Sequence, residues 1–232
     1  TGYDIYWKDN AKELSEQQVE KSLESYREIE KRLLAEEKVT KVLIGGSPYD
    51  ETTKLNFFNL PNKNQAILKI IDVQRSSAKK NNWGFVDFNE PMRKINLEEQ
   101  RKDSTFTFCR VDRIHPDNDG QMVMAYLFLK AQGFSGKNVA DVEINANKKE
   151  AIKSENCTIS NIKKIGKDIS FDYLAESLPY PLDTIARGWG SKKSQADVVK
   201  VVPFMEEMNS EILKVTGLKG QYRLLIDDEE IG

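Results

Sequence analysis

The chain has 232 residues, of which 39% are apolar and 31% charged, so it is long enough to bury one large core or two small ones. Its 35 basic and 37 acidic residues give a net charge of -2, without the basic excess typical of proteins that bind nucleic acid. The longest apolar runs, such as MVMAYLFL at 122–129, are far shorter than the ~20 residues that a membrane span needs. Composition therefore predicts a globular protein with no nucleic-acid partner and no membrane span.

The sequence offers few ligands for a zinc site, because it contains one histidine and two cysteines, Cys109 and Cys157, with no CxxC pair. It also lacks a glycine-rich phosphate-binding loop. We therefore expect no metal and no cofactor. Two buried free thiols are the favoured interpretation of the cysteines, and one disulfide is the alternative.

Helical and strand-like patterns alternate in the first half of the chain. Residues 10–38 carry apolar positions at helical steps, and the run 42–44 ends at two glycines, as a short buried strand does. Residues 64–81 again have helical spacing, and WGFVDFNEPM comes next as a second short strand that Pro91 closes. This order predicts a parallel α/β sheet.

A third helix is predicted over 119–132, with Gly133 as its stop. From residue 139 onward the sequence becomes strand-like and rich in loops, although FMEEMNSEILKVTG suggests a short helix and QYRLLIDDEEI alternates like a half-buried strand. The simplest organisation is an α/β domain over 1–135 and a β-rich part over 136–232.

The chemistry centres on His115, the only histidine, and on Asp112 three residues before it in VDRIHPDNDG. A carboxylate can hold an imidazole in one tautomer and stabilise the imidazolium that forms when it accepts a proton. A capping aspartate and a surface histidine would give the same spacing. Asn118, just before the predicted helix, is interpreted as a helix cap in preference to an amide donor.

The run DRIHPDNDGQMVMAYLFLKAQG resembles the last conserved block of the SGNH, or GDSL-like, lipases and acylhydrolases. VLIGGSPYDE and GFVDFNEPM are similar to the two strand ends that precede this block in the family, and ISFDYLAESLPYPL and MNSEILKVTGLKGQYRLLIDDEEI resemble the C-terminal extension of bacterial members. The resemblance implies part of a flavodoxin-like, three-layer α/β/α parallel sheet with a β-rich C-terminal extension. It also implies that His115 is the general base of a serine esterase and that Asp112 orients it.

The family's Gly-Asp-Ser block, which holds the nucleophile, and its Gly-x-Asn-Asp block have no counterpart here, and TGYDIYWKD resembles the stretch directly after the second block. The resemblance thus implies that the serine lies upstream, on a missing N-terminal segment or a separate chain, and that this chain alone is inactive. It implies also that the strands VLIGG (42–46) and GFVDF (84–88) are left with an open apolar edge. Ser47 is interpreted as a turn residue in preference to a replacement nucleophile.

As a GDSL-like esterase, the protein is expected to remove acyl groups, chiefly acetyl groups, from an acylated carbohydrate or another ester. The resemblance implies a bacterial protein that is secreted or periplasmic. The alternative is a non-catalytic glycan-binding or structural module derived from a truncated hydrolase. Trp83 and Trp189, each beside glycine, would then be sugar-stacking platforms, although packing at turns explains them more simply.

Overall fold

The computed structural model describes residues 11–110, 112–188, 190 and 192–231, and side-chain surroundings from residue 16 onward. The chain forms two compact units. The first runs to Phe134 and also contains Leu182–Pro203, whereas the second contains Ser135–Pro181 and the residues from Phe204 onward. The chain first passes from the first unit to the second after residue 134, one residue before the predicted boundary at 135/136. The sequence pattern did not predict that Leu182–Pro203 belongs to the first unit. Val198 and Val202 are buried in this returning segment.

The first unit combines helices with a parallel pair of strands. Its elements are α1 (Ala11–Ala35), β1 (Val42–Gly45), α2 (Lys63–Asn81), β2 (Gly84–Asp87), α3 (Asn89–Glu99), α4 (Asn118–Ala131) and α5 (Gln195–Val198). Strands β1 and β2 are parallel, in a register from Val42 opposite Gly84 to Gly45 opposite Asp87. The predicted mixed α/β arrangement is confirmed. The three-layer sheet stays a prediction, because this sheet has two strands among the described residues. None of the described helices is long and apolar enough to cross a membrane.

Helix α3 corrects the prediction that Pro91 ends the second strand. The strand already ends at Asp87, whose Oδ1 accepts the N–H of Asn89 at 2.9 Å and starts a helix. Pro91 is the third residue of that helix. Proline is tolerated in a first turn, because the first N–H groups of a helix have no intrahelical acceptor. Met92 and Asn96 are then buried one turn apart, which gives α3 its packed face.

Helix α1 packs on α2 along only part of its predicted apolar stripe. Val19 of α1 packs against Ala66 of α2, with Leu23 beside them. Further along α1, Ile29 and Leu34 are 52% and 51% exposed. Helix α2 therefore covers the stripe at Val19 and Leu23, whereas Ile29 and Leu34 offer apolar surface.

Strand β1 has exposed apolar side chains as well, since Val42 and Ile44 are 49% and 45% exposed. Ile29 and Ile44 line the same cleft of about 650 Å³, together with Ile67 and Ile70 of α2. We call this surface the β1 cleft. Parallel strands are normally covered on both faces, and an exposed apolar edge invites pairing with another chain.

We expect the 232-residue chain on its own to self-associate through the β1 cleft, because association removes this apolar surface from water. Sedimentation velocity should show species larger than a monomer, and Ile44→Lys should shift them toward the monomer. Ile185→Lys, at a residue of the first unit that is 58% exposed and outside this cleft, is the matched control and should not. A parent chain that sediments as a compact monomer and melts cooperatively would contradict this expectation.

The second unit is built mainly of strands, in agreement with a β-rich C-terminal part. Its elements are β3 (Ala140–Asn145), β4 (Glu150–Glu155), β5 (Cys157–Ile165), β6 (Asp168–Ala175), α6 (Phe204–Met208), β7 (Glu211–Thr216), β8 (Leu225–Ile226) and β9 (Glu229–Glu230). Strand β3 is central, antiparallel to β4 and parallel to β7, and β5 and β6 form a hairpin. The core contains alternate residues of β3 and Cys157. Both cysteines are free.

Two predicted elements of the second unit differ from the observed ones. The helix suggested by FMEEMNSEILKVTG is only α6, and β7 follows it directly, because side chains such as Ile212 and Val215 favour a strand. The strand suggested by QYRLLIDDEEI is a pair of short strands, β8 and β9. Asp227 and Asp228 separate them with positive φ angles of 49° and 70°, which form a tight turn.

Candidate active site

Asp112 and His115 lie on a closed loop between α3 and α4. The N–H of Asp117 donates to the carbonyl of Phe108 at 3.0 Å, which joins the two ends of the loop. Inside it, the N–H of Arg113 donates to the carbonyl of Cys109 at 3.1 Å. Phe108 and Cys109 are buried, so the loop is anchored in the core while its tip reaches the surface.

The carboxylate of Asp112 organises the tip of this loop. Its Oδ1 accepts the N–H of Ile114 at 3.1 Å and the N–H of His115 at 3.0 Å, and its Oδ2 contacts Nδ1 of the His115 ring. The side chains of His115 and Asp112 are 36% and 32% exposed. The two predicted site residues are therefore in direct contact and within reach of a molecule in solution.

The pKa of Asp112 reflects two opposing effects. Burial alone raises it, but the hydrogen bonds from the backbone and ring of His115 and from the N–H of Ile114 outweigh burial, so the pKa lies below its ordinary value. The group is a carboxylate at neutral pH and accepts a hydrogen bond from Nδ1–H of the imidazole. Nε2 is the ring nitrogen that takes no part in this contact.

The start of α4 corrects the interpretation of Asn118 as a cap. The N-cap residue is Asp117, whose backbone is extended, with φ of -75° and ψ of -172°. Asn118 is the first helical residue, and its Oδ1 accepts Nε2 of Gln195 at 3.2 Å. Its side chain thus connects α4 to α5, in the segment that returns from the second unit.

Ser47 has a structural contact. Its Oγ donates to the carbonyl of Ile114 at 3.1 Å, so the end of β1 is tied to the loop that carries His115. The serine hydroxyl is committed to a main-chain acceptor in place of an imidazole nitrogen. This contact agrees with the interpretation of Ser47 as a turn residue.

A buried amide network beside the site had no signal in the sequence. Oδ1 of Asn64 accepts the N–H of Tyr49 at 3.0 Å and Nδ2 of Asn89 at 3.1 Å. Nδ2 of Asn89 is also 3.4 Å from the carbonyl of Ser47. The two amides thereby join the starts of α2 and α3 to the segment after β1. The sequence spacing does not indicate that these two amides interact, because their partners lie far along the chain.

Lys63 is a second group that sequence reasoning missed. It is 6% exposed, and its Nζ lies 4.9 Å from the centre of the Tyr49 ring. Burial lowers the pKa of Lys63, and the negative charge of Asp112 opposes that effect. A lysine at the first position of a helix is ordinarily a surface residue, so only the fold shows that it contributes positive charge near Asp112.

Cys109 does not provide a nucleophile. It is fully buried, and burial raises the pKa of its thiol well above the ordinary value. Among the described residues, no group of three or more His, Cys, Asp or Glu side chains could hold a metal ion.

Trp189 lies outside the described residues. Trp83 is half-buried, with Nζ of Lys41 5.9 Å from its ring centre, as expected for packing at a turn.

The chain matches no family model and no curated protein. One solved structure is closely similar. It is that of a gut microbial diltiazem-metabolizing enzyme, with 63% sequence identity and a TM-score of 0.89. The match covers 99% of this chain and 53% of that enzyme's chain, so this chain spans about half of the enzyme's length.

The first turn of α4 is pressed against the loop at Gly120. A Cβ at this position would lie 2.7 Å from Cβ of Pro116, 2.9 Å from Cβ of Phe108 and 3.1 Å from the Phe108 carbonyl oxygen. Neither neighbour can retreat without moving the backbone of the loop. Gly120 is therefore needed for the close approach that places His115 next to the start of α4.

We expect Gly120→Ala to lower the free energy of unfolding by about 1–3 kcal/mol or more, which is typical of overpacking against rigid neighbours. Urea unfolding measures this loss. Gly46→Ala is the matched control, because a Cβ there meets nothing within 4 Å. Equal stability of the two variants would show that the approach at Gly120 is not tight.

We expect the free energy of unfolding to depend less on acidic pH in Asp112→Asn than in the parent. The folded-state pKa of Asp112 lies below the unfolded value of about 3.9, so its contribution is fully present above the unfolded pKa and is lost as the pH falls through the folded pKa. Between about pH 5.5 and pH 3, the free energy of unfolding should therefore fall less in Asp112→Asn than in the parent. Asp72→Asn, at an exposed position of α2, should follow the parent. An equal fall in the free energy of unfolding of all three proteins would show that the ionised carboxylate of Asp112 does not stabilise the fold.

Proposed function

We propose that this chain carries the acid–base part of a GDSL-like serine esterase, in which His115 is the general base and Asp112 orients it. The observation that carries the proposal is the contact between Asp112 Oδ2 and His115 Nδ1, on a loop whose backbone is fixed by the same carboxylate. The similarity to an enzyme that metabolises a drug supports a catalytic role. The serine and the oxyanion-hole donors belong, in this proposal, to polypeptide outside the 232 residues.

In the proposed mechanism, Nε2 of His115 removes the proton from the serine hydroxyl as its oxygen attacks the ester carbonyl. The imidazolium then gives this proton to the leaving alkoxide, and an acyl-enzyme remains. A water molecule, deprotonated by the same imidazole, releases the acid and restores the serine. Asp112 stays ionised throughout and stabilises the imidazolium in both halves of the reaction.

The proposed substrate class is an acetyl ester. Diltiazem carries such an ester, so similarity to a diltiazem-metabolizing enzyme is compatible with this substrate class. The sequence resemblance adds acetylated carbohydrate as the second substrate of this class. Both need the same step at the carbonyl group, so both are served by one imidazole and one serine.

The test compares acetate release from p-nitrophenyl acetate, diltiazem and an acetylated sugar by the protein supplied with the serine-bearing polypeptide. His115→Ala should lower kcat/KM by roughly 10²- to 10⁴-fold, the usual contribution of a general base. Asp112→Asn should lower it as well, since the amide no longer holds the required tautomer. Asp72→Asn is the control and should match the parent.

Equal rates in His115→Ala and the parent would refute the catalytic assignment. The 232-residue chain alone should release no acetate above the uncatalysed rate, because it lacks the proposed nucleophile. If the isolated chain hydrolysed these esters and His115→Ala abolished that activity, the proposal of an external serine would be wrong. The role of His115 as the general base would still stand.

A further inference from the structure

Arg113 occupies an unusual position inside the Asp112–His115 segment. It is 3% exposed, and its φ of 67° lies in the left-handed region that a residue with a Cβ rarely adopts. Such a conformation persists only where surrounding contacts hold it. The contacts of Arg113 therefore show what holds the Asp112–His115 segment in this conformation.

The guanidinium of Arg113 binds a second loop through four main-chain carbonyls. Nη1 donates to the carbonyls of Asp50 at 3.0 Å and Thr53 at 3.2 Å, and Nη2 donates to those of Leu55 at 2.8 Å and Phe57 at 3.1 Å. In return, the N–H of Asp50 donates to the carbonyl of Arg113 at 2.8 Å. Only a planar, five-donor fork can bridge four fixed acceptors in this way.

The second loop, residues 50–60, is also fixed at its other end. The hydroxyl of Tyr49 accepts the N–H of Leu60 at 2.9 Å and lies 3.4 Å from the carbonyl of Phe58. The carboxylate of Glu51 accepts the N–H groups of Asn62 and Asn64 at 3.0 and 2.7 Å. The loop is thus held in one conformation against the segment that carries His115.

This rigid loop presents two adjacent phenylalanines to solvent. Phe57 is 40% exposed, and Phe58, at 77%, has the most exposed aromatic side chain among the described residues. An exposed aromatic on a loop costs solvation free energy, and it is typical of a surface that binds a ligand. Because Arg113 bonds to the Phe57 carbonyl, this aromatic edge is coupled directly to the proposed catalytic segment.

We propose that Phe57 and Phe58 bind the apolar part of the ester substrate, and that Arg113 is the positioning residue that holds them at a fixed distance from His115. The inference rests on the proposed esterase function and extends it to specificity. Acetyl esters of bulky aromatic alcohols would be bound more tightly than acetyl esters of small alcohols. The catalytic step itself would be the same for both.

The experiment uses the complete, serine-bearing protein and two acetates that share the acyl group, 2-naphthyl acetate and methyl acetate. Phe58→Ala should raise KM for 2-naphthyl acetate roughly tenfold, as expected when an aromatic ring loses part of its apolar contact. KM for methyl acetate and both kcat values should stay within about twofold of the parent. Val39→Ala, at a residue that is 57% exposed at the other end of β1, is the control and should change none of them.

Arg113 is tested by two variants that separate the backbone from the guanidinium. Arg113→Gly accepts the left-handed φ but loses all four bonds, and Arg113→Lys keeps the charge but lacks the fork. We expect KM for 2-naphthyl acetate to rise most in the glycine variant and to be partly restored in the lysine variant. The Nδ1–H proton NMR signal of His115, identified by its loss in His115→Ala, reports whether the Asp112 contact survives.

The outcomes distinguish the two proposals. Hydrolysis that does not depend on His115 would refute the esterase function itself. Hydrolysis that does depend on His115, with the same KM for 2-naphthyl acetate in Phe58→Ala and the parent, would refute the aromatic binding edge alone. Unchanged KM in Arg113→Gly, or equal KM changes for the two esters, would refute the positioning role of Arg113.

Discussion

The site depends on one carboxylate that accepts three hydrogen bonds from within four residues of chain. Asp112 binds the N–H groups of Ile114 and His115 with one oxygen and the ring of His115 with the other. The backbone bonds fix the turn, and the ring bond fixes the imidazole on that turn. The conformation of the loop and the orientation of the base are therefore set by the same group, and neither can change alone.

The elements around this turn explain why it stays in place. Gly120 allows α4 to begin against Phe108 and Pro116, and Ser47 ties the end of β1 to Ile114. On the other side, Arg113 draws the 50–60 loop toward the same segment. The loop with the proposed base is thus held from three directions by main-chain acceptors and close packing. Pre-organisation of this kind lets a base act without first rearranging the protein.

Sequence reasoning succeeded where local pattern decides the structure. Helix α4 was predicted to within a residue, because its apolar positions and the glycine at its end are local signals, and Gly133 indeed has φ of 82°. Parallel pairing of β1 and β2 followed from the alternation of helices and strands. The pairing of Asp112 with His115 was implied by the family resemblance, because the spacing of three residues fits a capping aspartate and a surface histidine equally well.

The same reasoning failed where partners lie far apart. The bonds of Arg113 join residues 56 to 63 positions distant, and their acceptors are main-chain carbonyls, which every residue possesses. Helix α3 was missed because a proline in a first turn and a proline at a strand end are alike in sequence. Exposure of Phe58 is a property of the fold, so no composition or periodicity could indicate it.

The return of Leu182–Pro203 to the first unit has a consequence for synthesis on the ribosome. The chain crosses between the units after Phe134, after Pro181 and after Pro203, so the first unit is discontinuous. Helix α4 emerges well before the residues that pack on it, among them Gln195, which bonds to Asn118. The loop that carries His115 therefore gains its last packing partners only after much of the second unit has been made. A gene fragment cut at the apparent boundary after residue 134 would encode a site whose supporting helix is never synthesised.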